Sequence, residues 1–435
     1  MKKNLGFTSY LSTQSIIGSP IQAYKLREFI GQFSWEETFT RLAMLAGSLA
    51  NFRTNNKKHY PQHIHEELAK LRFSPRGIDW RIGTHVFQNK ENPIAHEQAI
   101  YFLQALSILD GKDTGPPPSA LDIGRLLLAA NDHLTSWKEK DTPPLSQLEQ
   151  LTAEFCHLSR FNKHHDSLRG IVRTALVFER PPKKGILSDA ATWASVQNRA
   201  FGSSFLEWFE SFLLPLCYFS QTWGTYKDGD WIAPIIDPRT WYSKTALHPT
   251  WADGHFSSLT TTKDQARSKL EASLRSDGLP HAPTFFIQTP FIKLSSGNLV
   301  AASPWAVREQ LRGGIWMRHR EATRPLSDGI RPWTSAFGQI FEAACRNIAT
   351  ESIGESNPTI RLILSKDIGS SDEIEDIITI ESDGIILFSV KSRLVMEPVA
   401  RQAVSRRKVL DWYEDFLFGH GNKKKETPTR SAPPP

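Results

Sequence analysis

Glu375-Asp376-Ile377-Ile378-Thr379-Ile380-Glu381-Ser382-Asp383-Gly384-Ile385-Ile386-Leu387-Phe388-Ser389-Val390-Lys391 reads as two short strands joined by a tight turn. Asp-Gly is a favoured two-residue hairpin loop, because both central residues must take a positive φ. With that loop Ser382 faces Ile385, Ile378 faces Ser389 and Asp376 faces Lys391. Ser389 and Lys391 are two apart, so both point to the face that carries Asp376. Directly opposed residues hold their Cβ atoms roughly 5 Å apart. The reading therefore sets an acid beside a lysine at the end of a hairpin that is apolar on both faces. A strand apolar on both faces is expected to be buried on both. An Asp opposite a Lys is also an ordinary cross-strand ion pair on a solvated face, and that reading competes with a functional one.

The residues upstream and downstream extend the pattern. Ser335–Thr350 reads as a helix containing Gly338-Gln339-Ile340-Phe341-Glu342, and Val399–Phe418 as a helix carrying Arg406-Arg407-Lys408. In that second helix Ala403, Leu410, Tyr413 and Leu417 can pack while the basic residues reach phosphates.

This order (helix Glu, strand Asp, hairpin, x-Lys, basic helix) resembles the core of the PD-(D/E)xK, or restriction-endonuclease-like, nuclease superfamily. The resemblance covers only the C-terminal region. It implies that Glu342 and Asp376 ligate Mg²⁺ or Mn²⁺, and that Lys391 orients a water or offsets charge developing on phosphorus. The acid that the family places two residues before the lysine is Ser389 here. A hydroxyl is a weak ligand for a hard cation; some members of the family move that carboxylate to a neighbouring helix, and Glu397 or Glu414 could serve here. The resemblance further implies a nucleic-acid substrate, DNA ahead of RNA, a role in anti-phage defence or restriction, and restraint by a regulatory protein partner or by the N-terminal region. A rival reading is a catalytically degenerate nucleic-acid-binding or assembly protein on a nuclease-like fold. A third is a helical interaction scaffold in which the hairpin only packs.

The chain has 435 residues, a net charge of +6 and a pI near 9.1. That balance suits a nucleic-acid partner without requiring one. Cys156, Cys217 and Cys345 are few and far apart, so neither a disulfide framework nor a cysteine zinc site is expected, and a reducing cytoplasm fits. No apolar run is long enough to span a bilayer, so no membrane is expected as a partner.

The fold class expected is α+β or α/β in several domains. Residues 1–225 form a helical domain, 226–325 a mixed strand and loop region, 326–420 the nuclease-like core, and 421–435 a disordered polar tail. Within the first, Trp35–Phe52 and Ile94–Leu109 carry apolar residues at helical spacing. Ser119 is placed to cap a helix running to about Leu134, with Asp122 in its first turn. Pro143-Pro144 opens another helix to about Leu158. Ala190–Tyr218 reads as one or two helices with a kink or end near Pro215. A polar helix is expected near Lys263–Arg275. Pro283–Gln288 and Pro290–Leu294 read as strands, the second turning through Ser295–Asn298 to pair with Leu299–Ala302. Pro304–Leu311 reads as a short helix stopped by Gly313-Gly314.

His63-x-His65-Glu66 lacks the second His of a zinc-protease helix, and His164-His165-Asp166 reads as a surface segment. No phosphate-binding P-loop and no Gly-x-Ser-x-Gly elbow is present. Lys57-Lys58 and Lys183-Lys184 read as solvated surface.

Overall fold

The computed structural model describes residues 11–14, 18–55, 95–134, 143–146, 148–150, 152–153, 175, 177–178, 181–222, 226–227, 230–231, 235–241, 256–280, 285–326, 331–351, 361–364, 377–380, 385–388 and 405–411. These residues form a mixed helix and sheet fold, mostly helical. Two compact units divide the chain. Met1–Ser136 with His164–Ser392 make the first, and Trp137–Lys163 with Arg393–Pro435 the second.

Among the described residues, the first part of the first unit includes the helices α1 (Ala23–Ile30), α2 (Trp35–Asn55), α3 (Glu97–Asp110) and α4 (Ala120–Asn131). Every residue of α3 from Gln98 to Leu109 is buried, which makes it the central rod of this group. A helix hydrophobic all round must be surrounded, and α1, α2 and α4 supply the surround. α4 starts where its sequence says. The Ser119 hydroxyl accepts from the Asp122 amide at 3.2 Å, and the Asp122 carboxylate accepts from the Ser119 amide at 2.9 Å. Arg27 of α1 donates to both carboxylate oxygens of Asp110 at the end of α3, at 2.6 and 2.9 Å.

Next come α5 (Ala190–Phe201) and α6 (Phe205–Thr222). The break between them falls at Gly202, which takes φ 74 and donates its amide back to Asn198. It does not fall at Pro215, through which α6 continues.

A sheet of short strands lies between the two helical groups. Its order is β3 (Ile235–Ile236), β6 (Leu299–Ala301), β5 (Phe291–Lys293), β4 (Thr260–Thr261). A separate two-stranded ribbon pairs β1 (Tyr226–Lys227) with β2 (Asp230–Trp231). In the larger sheet β4 and β5 are parallel and the other pairs antiparallel. Alternation of side chains along a strand explains its place. Ile292 and Val300, directly opposed, join the core of α1–α4. Phe291, Leu299, Ala301 and Ile236 point the other way, into a core shared with α5 and α6. The sheet is thus buried on both faces, as a layer between helices. The expected hairpin of β5 and β6 is present, with Gly297 at φ 86 in its turn.

Helix α7 (Lys263–Glu271) follows β4, capped reciprocally by Thr262 and Gln265. Residues Phe285–Gln288 form a single helical turn, α8, where a strand was expected. A strand would send Phe285 and Phe286 to opposite faces. The helical turn lets both enter one core, with Phe286 against Phe39 and Tyr101. Beyond β6, α9 (Pro304–Glu309) runs on through a π-helical segment at Gln310–Gly314 into α10 (Ile315–Thr323). Gly313-Gly314 therefore does not stop the chain. A Cβ at Gly313 would sit 2.6 Å from Glu309 Oε1, which accepts the Gly313 amide, so the wide turn is built around that carboxylate.

Last in this unit are α11 (Arg331–Ala349) and a three-stranded antiparallel sheet in the order β7 (Arg361–Leu364), β8 (Ile377–Ile380), β9 (Ile385–Phe388). β7 was not foreseen. The second unit is described at residues 143–153 in part and at 405–411. The tail 421–435 and the histidine motifs at 63–66 and 164–166 lie outside the described residues.

Candidate functional site

The hairpin exists, but its register differs from the one a two-residue Asp-Gly turn dictates. Ile380 faces Ile385, Ile378 faces Leu387 and Ile377 faces Phe388. The four residues 381–384 lie between the paired strands, so Ile378 does not face Ser389, and the pairing is two residues out. A shift of two keeps every side chain on its expected face, since alternation has period two. What changes is which residues stand directly opposite. Strand β7, absent from the sequence reading, pairs along the other edge of β8, with Leu362 opposite Thr379.

The two faces of this sheet are not equivalent. Ile377 and Thr379 are buried, and Ile377 and Leu362 pack with Cys345 and Ala349 of α11. On the other face Ile363, Ile378 and Ile380 are half-buried and Ile385 is 64% exposed. The expectation that both hairpin faces are buried therefore fails on the face of Ile378.

Glu342 sits on α11 between two packing regions. Trp333, Ala336 and Ile340 anchor the first half of the helix in the aromatic core, and Cys345 and Ala349 anchor the second half on the sheet. The Glu342 side chain is 41% exposed and lies 3.8 Å from Arg346, one turn on. An exposed pair at that spacing contributes only about 0.3–0.5 kcal/mol. The carboxylate is a hard oxygen donor of the kind Mg²⁺ prefers. Asp376, Ser389, Lys391, Glu397 and Glu414 lie outside the described residues. Among the described residues no group of three or more His, Cys, Asp or Glu side chains is placed to hold a metal ion.

The basic helix is described at residues 406–411 and starts later than its sequence suggested, after Ser405, whose hydroxyl accepts the Lys408 amide at 3.4 Å. Val409 is fully buried there. Arg407 donates to Glu149 at 3.0 Å. Ser146, through its hydroxyl and its amide, and then Arg407 hold the Glu149 carboxyl below the usual range. The sequence reading pointed Arg406 and Arg407 at phosphates. Arg407 has an acidic partner, Glu149, inside its own unit.

Two polar constellations elsewhere in the first unit carried no motif. The Tyr101 hydroxyl, 1% exposed, lies 2.5 Å from Ser303 Oγ, and burial, then the nearby Glu97 carboxylate, push its pKa well up. Ser303 also caps α9 by accepting the Ala306 amide at 3.0 Å.

The second constellation is His319 on α10. It is fully buried among Phe178, Trp193, Phe201, Phe205 and Trp333. Its Nδ1 lies 2.9 Å from the Ile315 carbonyl, and its Nε2 has no hydrogen-bond partner among the described residues. Burial lowers its pKa to about 4, so the ring is neutral near pH 7. The only trace in the sequence is a histidine between two arginines on a short amphipathic segment, which is too common a pattern to single out.

No family model, no curated protein and no solved structure matches the chain.

Proposed function

We propose that this chain is a metal-dependent nuclease acting on DNA in preference to RNA, with its site where α11 meets the β8–β9 hairpin. The observation that supports this most is the packing of Cys345 and Ala349 against Ile377 and Leu362. It joins the helix that carries Glu342 to the hairpin that leads to Asp376 on one side and Lys391 on the other. The described register, carried one pair further, is part of the proposal: position 376 then stands opposite 389, with 391 on the same face one diagonal step away, about 7–8 Å in a regular ladder. That distance leaves room for a water or a phosphoryl oxygen between acid and lysine.

Glu342 and Asp376 would hold the divalent ion, with Glu397 supplying the carboxylate that Ser389 lacks. The ion would polarise a phosphoryl oxygen and make water a better nucleophile at neutral pH. Lys391 would orient that water or offset charge on the phosphorus. Restraint by the N-terminal helices or by a protein partner, and a role in anti-phage defence, belong to the same reading.

Cleavage of plasmid and single-stranded substrates with Mg²⁺ or Mn²⁺ tests it. The wild type should cut. Asp376→Ala and Lys391→Ala should lose at least about a hundredfold in rate, the scale of removing one catalytic group. Cleavage that survives both substitutions would place the activity elsewhere.

A second reading, a nucleic-acid-binding protein on a degenerate nuclease-like fold, is favoured by Ser389 in the place of an acid. Metal-independent binding without cleavage by the wild type would select it.

A further inference from the structure

We infer that Arg318, with Ser258, forms a binding site for a phosphate-class oxyanion. Several arginines of this fold have carboxylate partners, whereas Arg199 of α5 donates to the Ala322 carbonyl at 2.6 Å. Arg27 has Asp110, Arg275 has Asp277, and Arg267 has Glu271. Arg318 on α10 has none among the described residues. Its terminal nitrogens donate to neutral acceptors of one residue, to Ser258 Oγ at 3.3 Å and to the Ser258 carbonyl at 3.4 Å. Both bonds are long. Its Nε is covered and has no partner among the described residues. The guanidinium carbon lies 5.5 Å from the ring of Trp208, itself fully buried.

Those contacts do not balance the charge. Arg318 is half-buried, and the covered part of a cation loses hydration that only well-placed partners replace. A stacked aromatic face returns about 0.5–2 kcal/mol, and two long bonds to neutral oxygens return little more. A lysine could relieve the cost by giving up its proton, but a guanidinium cannot at physiological pH. Burial lowers the Arg318 pKa only to about 10, so the charge stays.

The geometry also provides access and orientation. Ser258 is exposed, and it meets the tip of Arg318, while the stem and Nε are covered. The ring of Trp208 and the two Ser258 bonds fix the plane of the guanidinium. Five donors in a rigid fork leave N–H groups free of Ser258, and such a fork matches two oxygens of a phosphate. The site is on a different element from the β8–β9 hairpin, and the inference does not depend on nuclease activity.

The test is the stabilisation of the full chain by inorganic phosphate, measured by thermal unfolding against sodium chloride at matched ionic strength. Wild type should be stabilised by phosphate beyond the salt control. Arg318→Lys, which keeps the charge and loses the fork, should bind phosphate at least about tenfold more weakly, the scale of one charged hydrogen bond. Ser258→Asp, on an exposed residue, guards against a variant that fails to fold. It installs a carboxylate where the anion would sit, and it should raise stability while abolishing the phosphate response. A single-stranded oligonucleotide as competitor separates the sources: displacement of phosphate marks the ligand as a phosphodiester backbone, and no displacement marks it as a small free anion. Absence of a phosphate-specific response in wild type, or a response unchanged in Ser258→Asp, would overturn the inference.

Discussion

The imidazole of His319 lies flat on the indole of Trp333, with ring centroids 4.7 Å apart and planes within 5°. Trp193 and Phe178 also stack on it at 5.3 Å. A neutral ring fits such a box, and a charged one would lose its hydration with no carboxylate among the described residues to replace it.

Stability should therefore fall as the solution is acidified. The unfolded chain takes up a proton at His319 near pH 6.5, and the folded chain only near pH 4. Between those values the unfolded state binds more protons. The contribution is fully present above about pH 6.5 and is lost as pH falls towards 4, by about 3 kcal/mol in all. Denaturant unfolding across this range should show a shallower slope for His319→Phe than for wild type. Equal slopes would mean the imidazole is not held neutral.

The fork of Arg27 on Asp110 should matter more than a surface pair. It joins α1 to the end of α3, and Arg27 also donates to the Gly278 carbonyl at 3.2 Å. The Asp110 side chain is 15% exposed and that of Arg27 36%, so solvent screens part of the interaction. Asp110→Asn is expected to cost about 1–2 kcal/mol in chemical denaturation. Arg27→Lys should cost nearly as much, because an ammonium cannot reproduce two parallel bonds.

Gly111 ends α3 with an ordinary φ of -66, so strain does not explain the glycine. Space does. A Cβ there would stand 2.7 Å from Trp35 Cβ and nearer still to the Ser107 carbonyl. Gly111→Ala must push the end of α3 away from Trp35 at the start of α2. A loss of about 1–3 kcal/mol is expected, read as a lower denaturation midpoint with an unchanged slope.

The hairpin register can be read by cross-linking. Cysteines placed at directly opposed positions of antiparallel strands have Cα separations of about 4.5–5.5 Å, within the range a disulfide tolerates. Ile378→Cys with Leu387→Cys should oxidise readily. Ile378→Cys with Ser389→Cys should not. The reverse result would restore the register of a two-residue turn.

Sequence legibility varied with the range of the interactions. The capping of α4 by Ser119 and Asp122, the hairpin of β5 and β6, and the helices α2 and α3 could all be read, because each is written in neighbouring residues. Phe285–Gln288 was misread because a short apolar run fits a strand or a buried helical turn equally well. Strand β7 was missed although Ser356-Asn357-Pro358 and Gly369-Ser370-Ser371 flank it with turn signals. Of the candidate site, Glu342 is on a helix as expected and Arg407 is on one too, but Arg407 has Glu149 as its partner, a residue 258 positions away.

By itself the sequence determined the local units: where α4 is capped, which faces of α2 are apolar, and that residues near 377–388 form a hairpin. These follow from backbone sterics, capping chemistry and periodicity, which act over a few residues. Only the tertiary structure decided that the β3–β6 sheet is buried between two helical groups and that α9 continues through Gly313-Gly314. It also decided that Ile378 faces Leu387, and that His319 and Arg318, neighbours on α10, are set in an aromatic box and against Trp208. Those outcomes depend on burial between segments far apart in the chain, where the cost of desolvating a charge or an imidazole is fixed by partners that no local pattern records.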